Sequence, residues 1–280
     1  MKLSDFNNNH LDETIYIIGS APSINELSEK DLEALKNKVV IGVNFSHTKV
    51  KNLDYVITGH IDSLAYALEY TPDDIPIFCH KSNHTAYATE VWNNDRVVEV
   101  FDLNMLPPLP RLADDNNNIY GSISILLSAT HLAYMMGARE IVFMGFEERS
   151  QLHFYNIDRN LESEIISNIE KLLESKKYWN PHNYSPDWRG ISNKINVHSG
   201  LEVTLNKCTG APHYQPQFNR PIEDLISTPF GTTEGQLQRV NYFSSYVKYL
   251  NENGVDTLTT SELGITLDAD CKKVCLEDIL

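Results

Sequence analysis

A run of small residues directly follows the first apolar segment of the sequence. Ile15-Tyr16-Ile17-Ile18 leads into Gly19-Ser20-Ala21-Pro22-Ser23. Glycine allows the backbone to approach a ligand closely, and open α/β sheets bind nucleotides at the ends of such strands. The run is not a Walker A loop, because no Gly-Lys-Ser/Thr follows, and with one glycine it is not GxGxxG. It therefore predicts either a nucleotide-binding turn or a tight strand-to-helix turn.

Polar side chains also stand where other apolar segments end. Asn44 follows 39–43, the polar stretch 58–62 follows 55–57, and Glu147 comes shortly after a later apolar segment. Polar groups gathered at one edge of a parallel sheet are what a nucleotide pocket requires. Asparagine both donates and accepts hydrogen bonds, which suits recognition of a base or a ribose. The alternative is that each residue caps the helix or turn that follows it.

Short apolar segments alternate with helical ones along most of the chain. The predicted strands are 15–18, 39–43, 55–57, 75–78, 96–100, 141–144 and 255–258, and the predicted helices are 28–36, 121–136, 161–176 and 233–251. Continuous apolar strands separated by helices are typical of a parallel sheet that is covered on both faces. We therefore predict an α/β, Rossmann-like fold with a mostly parallel sheet, helices on both faces and a lid-like insertion.

Local signals mark two of the helix ends. Ser28 is a typical N-cap, and Glu29 and Asp31 would stand in the first turn, where negative charge is favourable. Gly137 is typical of the C′ position after a helix.

The pattern divides the chain into three parts. Residues 1–147 form a predicted nucleotide-binding core, 148–231 a lid or acceptor insertion, and 232–280 a helix and strand that complete the core. The insertion is rich in Asn, Tyr, His and Pro, as lids and binding loops often are. The first dozen residues and those beyond Asp268 are expected to be peripheral.

Composition excludes several classes of protein. The chain has 23 Lys and Arg against 38 Asp and Glu, a net charge of -15, which argues against nucleic-acid binding because phosphates need cationic partners. The four cysteines lack the spacing of a zinc site and indicate reduced thiols. We find no secretory signal and no apolar segment long enough to span a membrane, so a soluble, cytoplasmic protein is expected.

Several of these motifs together resemble a known superfamily. They are the Gly-x-x-Pro-Ser turn after the first strand, Asn44 after the second, the Gly-Ser-Ile helix start at Gly121, and Ala138-Arg-Glu-Ile-Val-Phe-Met-Gly-Phe-Glu. The chain resembles the bacterial sialyltransferases of glycosyltransferase family 42. It resembles even more the related DUF115 group, which includes flagellar motility accessory factors and archaeal 6-hydroxymethylpterin diphosphokinases. The resemblance covers about residues 14–147 well and the rest of the chain loosely.

The resemblance implies a variant of the GT-A fold that binds a nucleotide-activated donor, with a CMP-linked nonulosonic sugar favoured. Glycan or small-molecule acceptors and a homo-oligomer are also consistent with it. By motif, the residues assigned to the nucleotide and donor site are Gly19, Ser20, Ala21, Ser23, Asn44, Gly121, Ser122, Glu147 and Tyr214. Gly121 and Ser122 would hold an anionic group at the start of their helix.

The catalytic residues that the resemblance implies are only partly present. Tyr155 matches one of two lid tyrosines that assist departure of the phosphate, whereas Arg149 stands at the other position and could neutralise that phosphate instead. The family's general base is a histidine three residues after a tyrosine, but Gln217 follows Tyr214 at that spacing. Glutamine cannot take a proton, so His213 is the predicted substitute, with His198 behind it.

Three functions remain open from the sequence. The first is a glycosyltransferase that requires no cofactor. The second is a diphosphokinase that uses ATP and Mg²⁺, for which Asp54, Asp62 and Glu147 are candidate carboxylates. The third is a nucleotide-sugar-binding protein without activity. The Asp268-Ala269-Asp270 motif resembles a DxD metal site but lies in the acidic tail. An aromatic cluster at 178–188 could stack on a sugar or base, or form a small core of its own.

Overall fold

The structure is a computed structural model that describes residues 1–59, 61–80, 88–102, 118–119, 124–146, 154, 158–175, 177–178, 234–262 and 264–280. Within these residues nine strands form one sheet, and every pair of neighbouring strands is parallel. The order of the strands is β6-β5-β4-β3-β2-β1-β7-β8-β9.

Within the described residues, seven strands and four helices match predicted segments. The strands are β1 (Thr14–Ile18), β2 (Val39–Val43), β3 (Tyr55–Thr58), β4 (Ile77–His80), β5 (Val97–Asp102), β6 (Asn118–Ile119), β7 (Glu140–Met144), β8 (Asp256–Thr259) and β9 (Lys272–Lys273). The helices are α1 (Glu29–Ala34), α2 (Ile61–Tyr70), α3 (Thr89–Trp92), α4 (Ile125–Met135), α5 (Arg159–Ser175), α6 (Glu234–Glu252) and α7 (Ile265–Asp268). Of these elements, α2, α3, α7, β6 and β9 were not predicted.

The strands are apolar on both faces because helices cover the sheet on both sides. On one face Ile15 and Ile17 of β1 pack in a core with side chains of α4 and α6. On the other face Tyr16 and Ile18 pack in a second core with side chains of α2 and α5. Alternate residues of a strand point to opposite faces, so a strand covered twice must be apolar throughout. The predicted α/β, Rossmann-like fold is confirmed.

Both predicted helix ends are present. The Ser28 hydroxyl accepts a hydrogen bond from the Asp31 backbone N–H at 3.2 Å, and the Asp31 carboxylate accepts one from the Ser28 N–H at 2.8 Å. This reciprocal pair is a capping box. Gly137 follows α4 with φ of +92°, the left-handed conformation that favours glycine. Helix α4 itself begins at Ile125, after an N-cap at Ser124, and so starts later than predicted.

The first residues of the chain are not peripheral, so that prediction was wrong. Leu3 and Phe6 are 0% and 5% exposed and belong to the core on the α4 face. The backbone N–H groups of the next segment cap the end of α4, donating from Asn8 to Met135, from His10 to Met136 and from Asp12 to Gly137. Carbonyls in the last turn of a helix have no partners within it, and this segment supplies them.

The residues beyond Asp268 are also integrated into the fold, again contrary to expectation. Cys271 is buried, and β9 adds a ninth strand beside β8. The Tyr16 hydroxyl donates a hydrogen bond to the Ile279 carbonyl at 2.6 Å. Val274, Leu276, Ile279 and Leu280 also pack against the core on the α5 face.

Helix α5 comes from the stretch assigned to the insertion, and its side chains Ile165, Ile169 and Leu172 pack in the core beside α2. The division of the chain at 147 and 231 stays a prediction. None of the helices in the described part of the chain combines the length and the apolar character needed to cross a bilayer.

Candidate functional site

The chain adds strands to one side of β1 as far as β6 and to the other side of β1 from β7 onward. Strands β1 to β6 follow one another toward one edge, and the chain then crosses back to place β7 on the other side of β1. In open α/β sheets, ligands bind outside the carboxyl ends of the strands at such a switch point. The register pairs Ile18 with Met144, so Gly19 and Gly145 are the first residues beyond the two strands.

The two glycines at this switch point are packed against each other. The Gly19 N–H donates to the Met144 carbonyl at 2.7 Å, and the Ala21 N–H donates to the Gly145 carbonyl at 3.0 Å. A Cβ on Gly19 would lie 2.2 Å from the Gly145 carbonyl oxygen, closer than any real contact. The tight-turn alternative thus has a physical basis here, because Gly19 is needed for packing whether or not a ligand binds.

A later segment of the chain is anchored to the turn after β1. The Phe154 N–H donates to the Ser20 carbonyl at 2.9 Å, and the Asn25 Nδ2 group donates to the Phe154 carbonyl at 2.8 Å. Phe154 is fully buried. These bonds attach the chain that follows β7 to the candidate nucleotide turn.

Asn44 begins a tight turn at the end of β2. Its φ is +50°, a left-handed conformation that asparagine tolerates better than most residues. The 3₁₀ helix Asn44–Thr48 starts at this residue. Val43, not Asn44, stands at the N-cap position, and no side chain caps this turn, so the capping alternative is wrong for Asn44.

Two hydrogen bonds hold Asn44, one at the backbone and one at the side chain. Its carbonyl oxygen accepts from His47 Nδ1 at 2.8 Å. Its Oδ1 accepts from the Thr58 hydroxyl at 3.2 Å, and Thr58 is itself hydrogen bonded to the Ser63 hydroxyl. Thr58 ends β3 and Ser63 lies in α2. The site thus joins the carboxyl ends of β2 and β3.

His47 is buried beneath this turn. It is 3% exposed, and its ring lies 6.3 Å from that of Phe45 and 5.5 Å from that of Tyr66. Burial lowers the pKa of His47 to about 4, the hydrogen bond to Asn44 opposes that shift, and the positive charge of Lys51 adds to it. The imidazole is neutral at pH 7, and among the described residues Nε2 has no hydrogen-bond partner.

The sheet register places the carboxyl ends of β1, β2 and β3 next to one another. Ile18 pairs with Gly42 and Val43 pairs with Ile57. Ser20 lies two residues beyond the end of β1, Asn44 begins the turn after β2, and Thr58 is the last residue of β3. Ser20 and Ser23 are half-buried, while Gly19 and Ala21 are buried. Ser20, Asn44 and Thr58 thus stand at the carboxyl ends of β1, β2 and β3, and Thr58 is fully buried.

Seven of the predicted site residues lie outside the described residues, namely Gly121, Ser122, Glu147, Arg149, Tyr155, His213 and Tyr214. His198, Gln217 and the aromatic residues of the 178–188 cluster other than Tyr178 lie outside them as well. Tyr178 is 6% exposed and belongs to the core on the α5 face.

Asp54 is not placed for metal binding at this edge. It precedes β3, at the amino ends of the strands, and its carboxylate accepts a hydrogen bond from the Val40 N–H at 2.8 Å. Asp268 and Asp270 flank the end of α7. In the described ranges no group of three or more His, Cys, Asp or Glu side chains is arranged to hold a metal ion.

Sequence reasoning missed four residues that shape this edge: Asn25, His47, Ser63 and Phe154. His47 stands three residues after Asn44, the spacing of one 3₁₀ turn, which is a local signal that could have found it. Ser63 and Phe154 depend on contacts between distant segments and leave no local signal.

The chain matches no protein-family model and no curated protein. Among solved structures, it is similar to the MAf glycosyltransferase from Magnetospirillum magneticum AMB-1, with a TM-score of 0.50 and 12% sequence identity. The match covers 99% of this chain and 38% of that one, so this chain spans well under half the length of the protein it matches. At this identity the similarity shows a shared α/β fold across the chain.

Proposed function

We propose that the protein is a glycosyltransferase that binds a nucleotide-activated sugar at the carboxyl edge of its sheet, around the ends of β1, β2 and β7. The observation that carries the proposal is that Ser20 and Asn44 follow the carboxyl ends of the neighbouring strands β1 and β2, with Asn44 held by Thr58 of β3, beside the switch point between β1 and β7. The shared fold with a MAf glycosyltransferase supports the reaction class.

The residues at this edge suit a nucleotide in their chemistry. Ser20, Ser23 and Asn44 offer neutral hydrogen-bonding groups, which recognise a base or ribose without adding charge. Gly19 and Ala21 keep the turn after β1 free of bulky side chains.

The reaction that we propose transfers the sugar to a hydroxyl group. The acceptor oxygen forms a bond to the anomeric carbon, while the bond from that carbon to the donor phosphate breaks and its electron pair leaves with the phosphate. His213 is proposed to take the hydroxyl proton, and Arg149 and Tyr155 to stabilise the departing phosphate. The hydrogen bond from Phe154 to Ser20 supports the role of Tyr155, because it attaches the residue before Tyr155 to the turn after β1.

We further propose a CMP-linked nonulosonic sugar as the donor and no metal requirement. Both follow from the motifs shared with the sialyltransferases, the turn at Gly19–Ser23 and Asn44. Gly121, Ser122, Glu147 and Tyr214 complete the proposed donor site.

A thermal-shift panel tests the ligand. The purified protein is heated with CMP, CDP, UDP, GDP, ADP or ATP, each with and without Mg²⁺. A ligand at about 100 times its Kd adds ~2.7 kcal/mol of stability, which raises Tm by several degrees. We expect stabilisation by CMP or CDP without metal. A response confined to ATP with Mg²⁺ would contradict the proposal and favour a diphosphokinase.

A matched pair of variants tests the site. Asn44→Ala removes a proposed ligand contact, whereas Asn52→Ala removes an asparagine near the opposite edge of the sheet, where its Nδ2 group lies 3.5 Å from the Leu32 carbonyl. Loss of one hydrogen bond to ligand costs about 1.4 kcal/mol, or roughly tenfold in Kd. We expect the affinity for CMP to fall in the first variant only. If the two variants bind CMP with equal affinity, the nucleotide does not contact Asn44.

Turnover is measured separately with CMP-N-acetylneuraminic acid as donor. Release of CMP that depends on an added glycan acceptor supports a transferase, and we expect His213→Ala to abolish it. If the protein binds CMP but sets no CMP free from the donor with any acceptor tested, it would instead be a binding protein.

A further inference from the structure

We propose that Asn25 is a positioning residue for the transfer step, because its side chain holds the peptide group that joins Phe154 to Tyr155. The inference rests on the proposed function, in which Tyr155 stabilises the departing phosphate. It adds the residue that fixes this part of the chain relative to the turn after β1. Asn25 acts through the backbone of Phe154 and not by contact with the ligand.

Two hydrogen bonds hold the backbone of Phe154, one on each side of its Cα. Its N–H donates to the Ser20 carbonyl at 2.9 Å, and its carbonyl accepts from Asn25 Nδ2 at 2.8 Å. A carbonyl only accepts hydrogen bonds, so the end of the Asn25 amide that faces it must be the NH₂ group. The orientation of this amide is therefore set by the contact itself.

The side chain of Phe154 provides a third attachment. It is 0% exposed and belongs to the core that contains Ile18 of β1 and Ile165 of α5. Residue 154 is thus held at its N–H, its carbonyl and its ring. Because a peptide group is planar, holding the Phe154 carbonyl also sets the direction in which the chain continues to Tyr155.

The turn after β1 is held in place by contacts that do not involve the Asn25 side chain. The N–H groups of Gly19 and Ala21 bind carbonyls at and just beyond the end of β7. Ile24 is 1% exposed, and its side chain lies against Gly145. Loss of the Asn25 amide should therefore release the Phe154 carbonyl while the proposed donor turn keeps its position.

This separation determines which kinetic constant should change. An interaction that matters only in the transition state affects kcat and kcat/KM equally. A displacement of about 1 Å can cost a positioned group roughly 100-fold in rate. We therefore expect loss of the Asn25 amide to lower kcat and to leave the binding of the donor unchanged.

The variant Asn25→Leu makes this test, because leucine is close to asparagine in size, carries no charge and has no hydrogen-bond donor. With CMP-N-acetylneuraminic acid as donor, we expect kcat to fall about tenfold or more, while KM for the donor and Kd for CMP stay within about twofold of the wild-type values. Asn25→His places an N–H on the same carbon, Cγ, and should recover part of kcat at about pH 8, where an ordinary histidine is neutral.

Asn52→Leu is the matched control. Asn52 is also half-buried, and its Nδ2 group lies 3.5 Å from the Leu32 carbonyl, near the opposite edge of the sheet. We expect wild-type kcat in this variant. Amide hydrogen exchange followed by NMR gives a readout that needs no turnover: the Phe154 N–H should exchange about tenfold faster in Asn25→Leu than in the wild type or the control.

The outcomes distinguish the two proposals. If the wild type transfers the sugar and Asn25→Leu keeps its kcat, or if only KM rises, the positioning role is overturned and the proposed function stands. Wild-type exchange of the Phe154 N–H in Asn25→Leu would also overturn the inference, since the amide would then not hold this part of the chain. If the wild type transfers no sugar to any acceptor tested, the proposed function fails and the inference fails with it.

Discussion

The imidazole of His47 is neutral and buried beneath the turn after β2. Because of this burial, the free energy of unfolding depends on pH. Desolvation on burial lowers its pKa to about 4, against a value of 6.5 for an exposed histidine, and Lys51 adds to the effect. Between these two pH values the unfolded chain binds a proton on this ring and the folded chain does not. Because the ring binds the proton only in the unfolded chain, protonation favours unfolding.

We therefore predict that the free energy of unfolding falls as the pH is lowered from 6.5 toward 4, and that His47 accounts for about 3 kcal/mol of the loss. Above pH 6.5 this contribution is constant. Urea denaturation of the wild type and of His47→Asn, at several pH values, measures it. The variant lacks the titrating ring, so its stability should depend less steeply on pH. Parallel curves would contradict the assignment of a lowered pKa to His47.

At the scale of elements, the switch point is a junction between two turns that contain glycine. Gly145 has φ of +74°, and a Cβ there would lie 2.5 Å from Ile24 Cδ1, while Gly19 faces the Gly145 carbonyl. The 3₁₀ helix Pro22–Glu26 therefore rests directly on the end of β7. At Gly19 the nearest atom is a backbone carbonyl oxygen, so a clash there cannot be relieved by rotating a side chain.

Gly19→Ala should destabilise the protein by about 2 kcal/mol or more, because the added methyl group forces the two turns apart. Gly59→Ala is the matched control. Gly59 lies after β3, and the nearest atom to an added Cβ there is Ile125 Cδ1 at 3.9 Å. The free energy of unfolding of this variant should stay within about 0.5 kcal/mol of the wild-type value or rise. Chemical denaturation measures both. Equal stabilities would show that the junction can relax.

At the scale of the whole molecule, residues from both ends of the described chain complete the packing of the sheet. Phe6 packs edge-on against Tyr55 and Phe78, with ring centroids 5.9 and 4.9 Å apart. On the opposite face, the segment after β8 returns to Tyr16 in β1. Strands β1, β3 and β4 are thus linked to segments that are distant from them in sequence.

Phe6→Ala should cost about 3 to 5 kcal/mol in unfolding free energy, the usual range for removing a buried phenylalanine. Leu11→Ala provides the comparison in the same segment, because Leu11 is 63% exposed and its loss should change stability by less than about 0.5 kcal/mol. Thermal and chemical denaturation of the two variants give the difference. A small effect for Phe6 would mean that the first residues are dispensable for folding.

Some site residues could be predicted because the signals for them are local. Asn44 and Thr58 follow apolar segments, and in a parallel sheet the residues that follow strands gather at one edge. The contact between them, and the hydroxyl of Ser63 behind Thr58, could not be predicted, because they depend on how α2 docks on the sheet. The roles of Arg149, Tyr155 and His213 stay predictions.

The sequence by itself determined most of the elements, namely the long buried strands and four of the helices, together with the capping box at Ser28 and the glycine after α4, since each depends on residues a few positions apart. Only the tertiary structure decided that β1 lies between β2 and β7, that Leu3 and Phe6 are core residues, and that His47 is neutral. The physical reason is that burial and strand order arise from contacts between distant segments. Neither apolar periodicity nor residue type along the chain encodes which segments will meet.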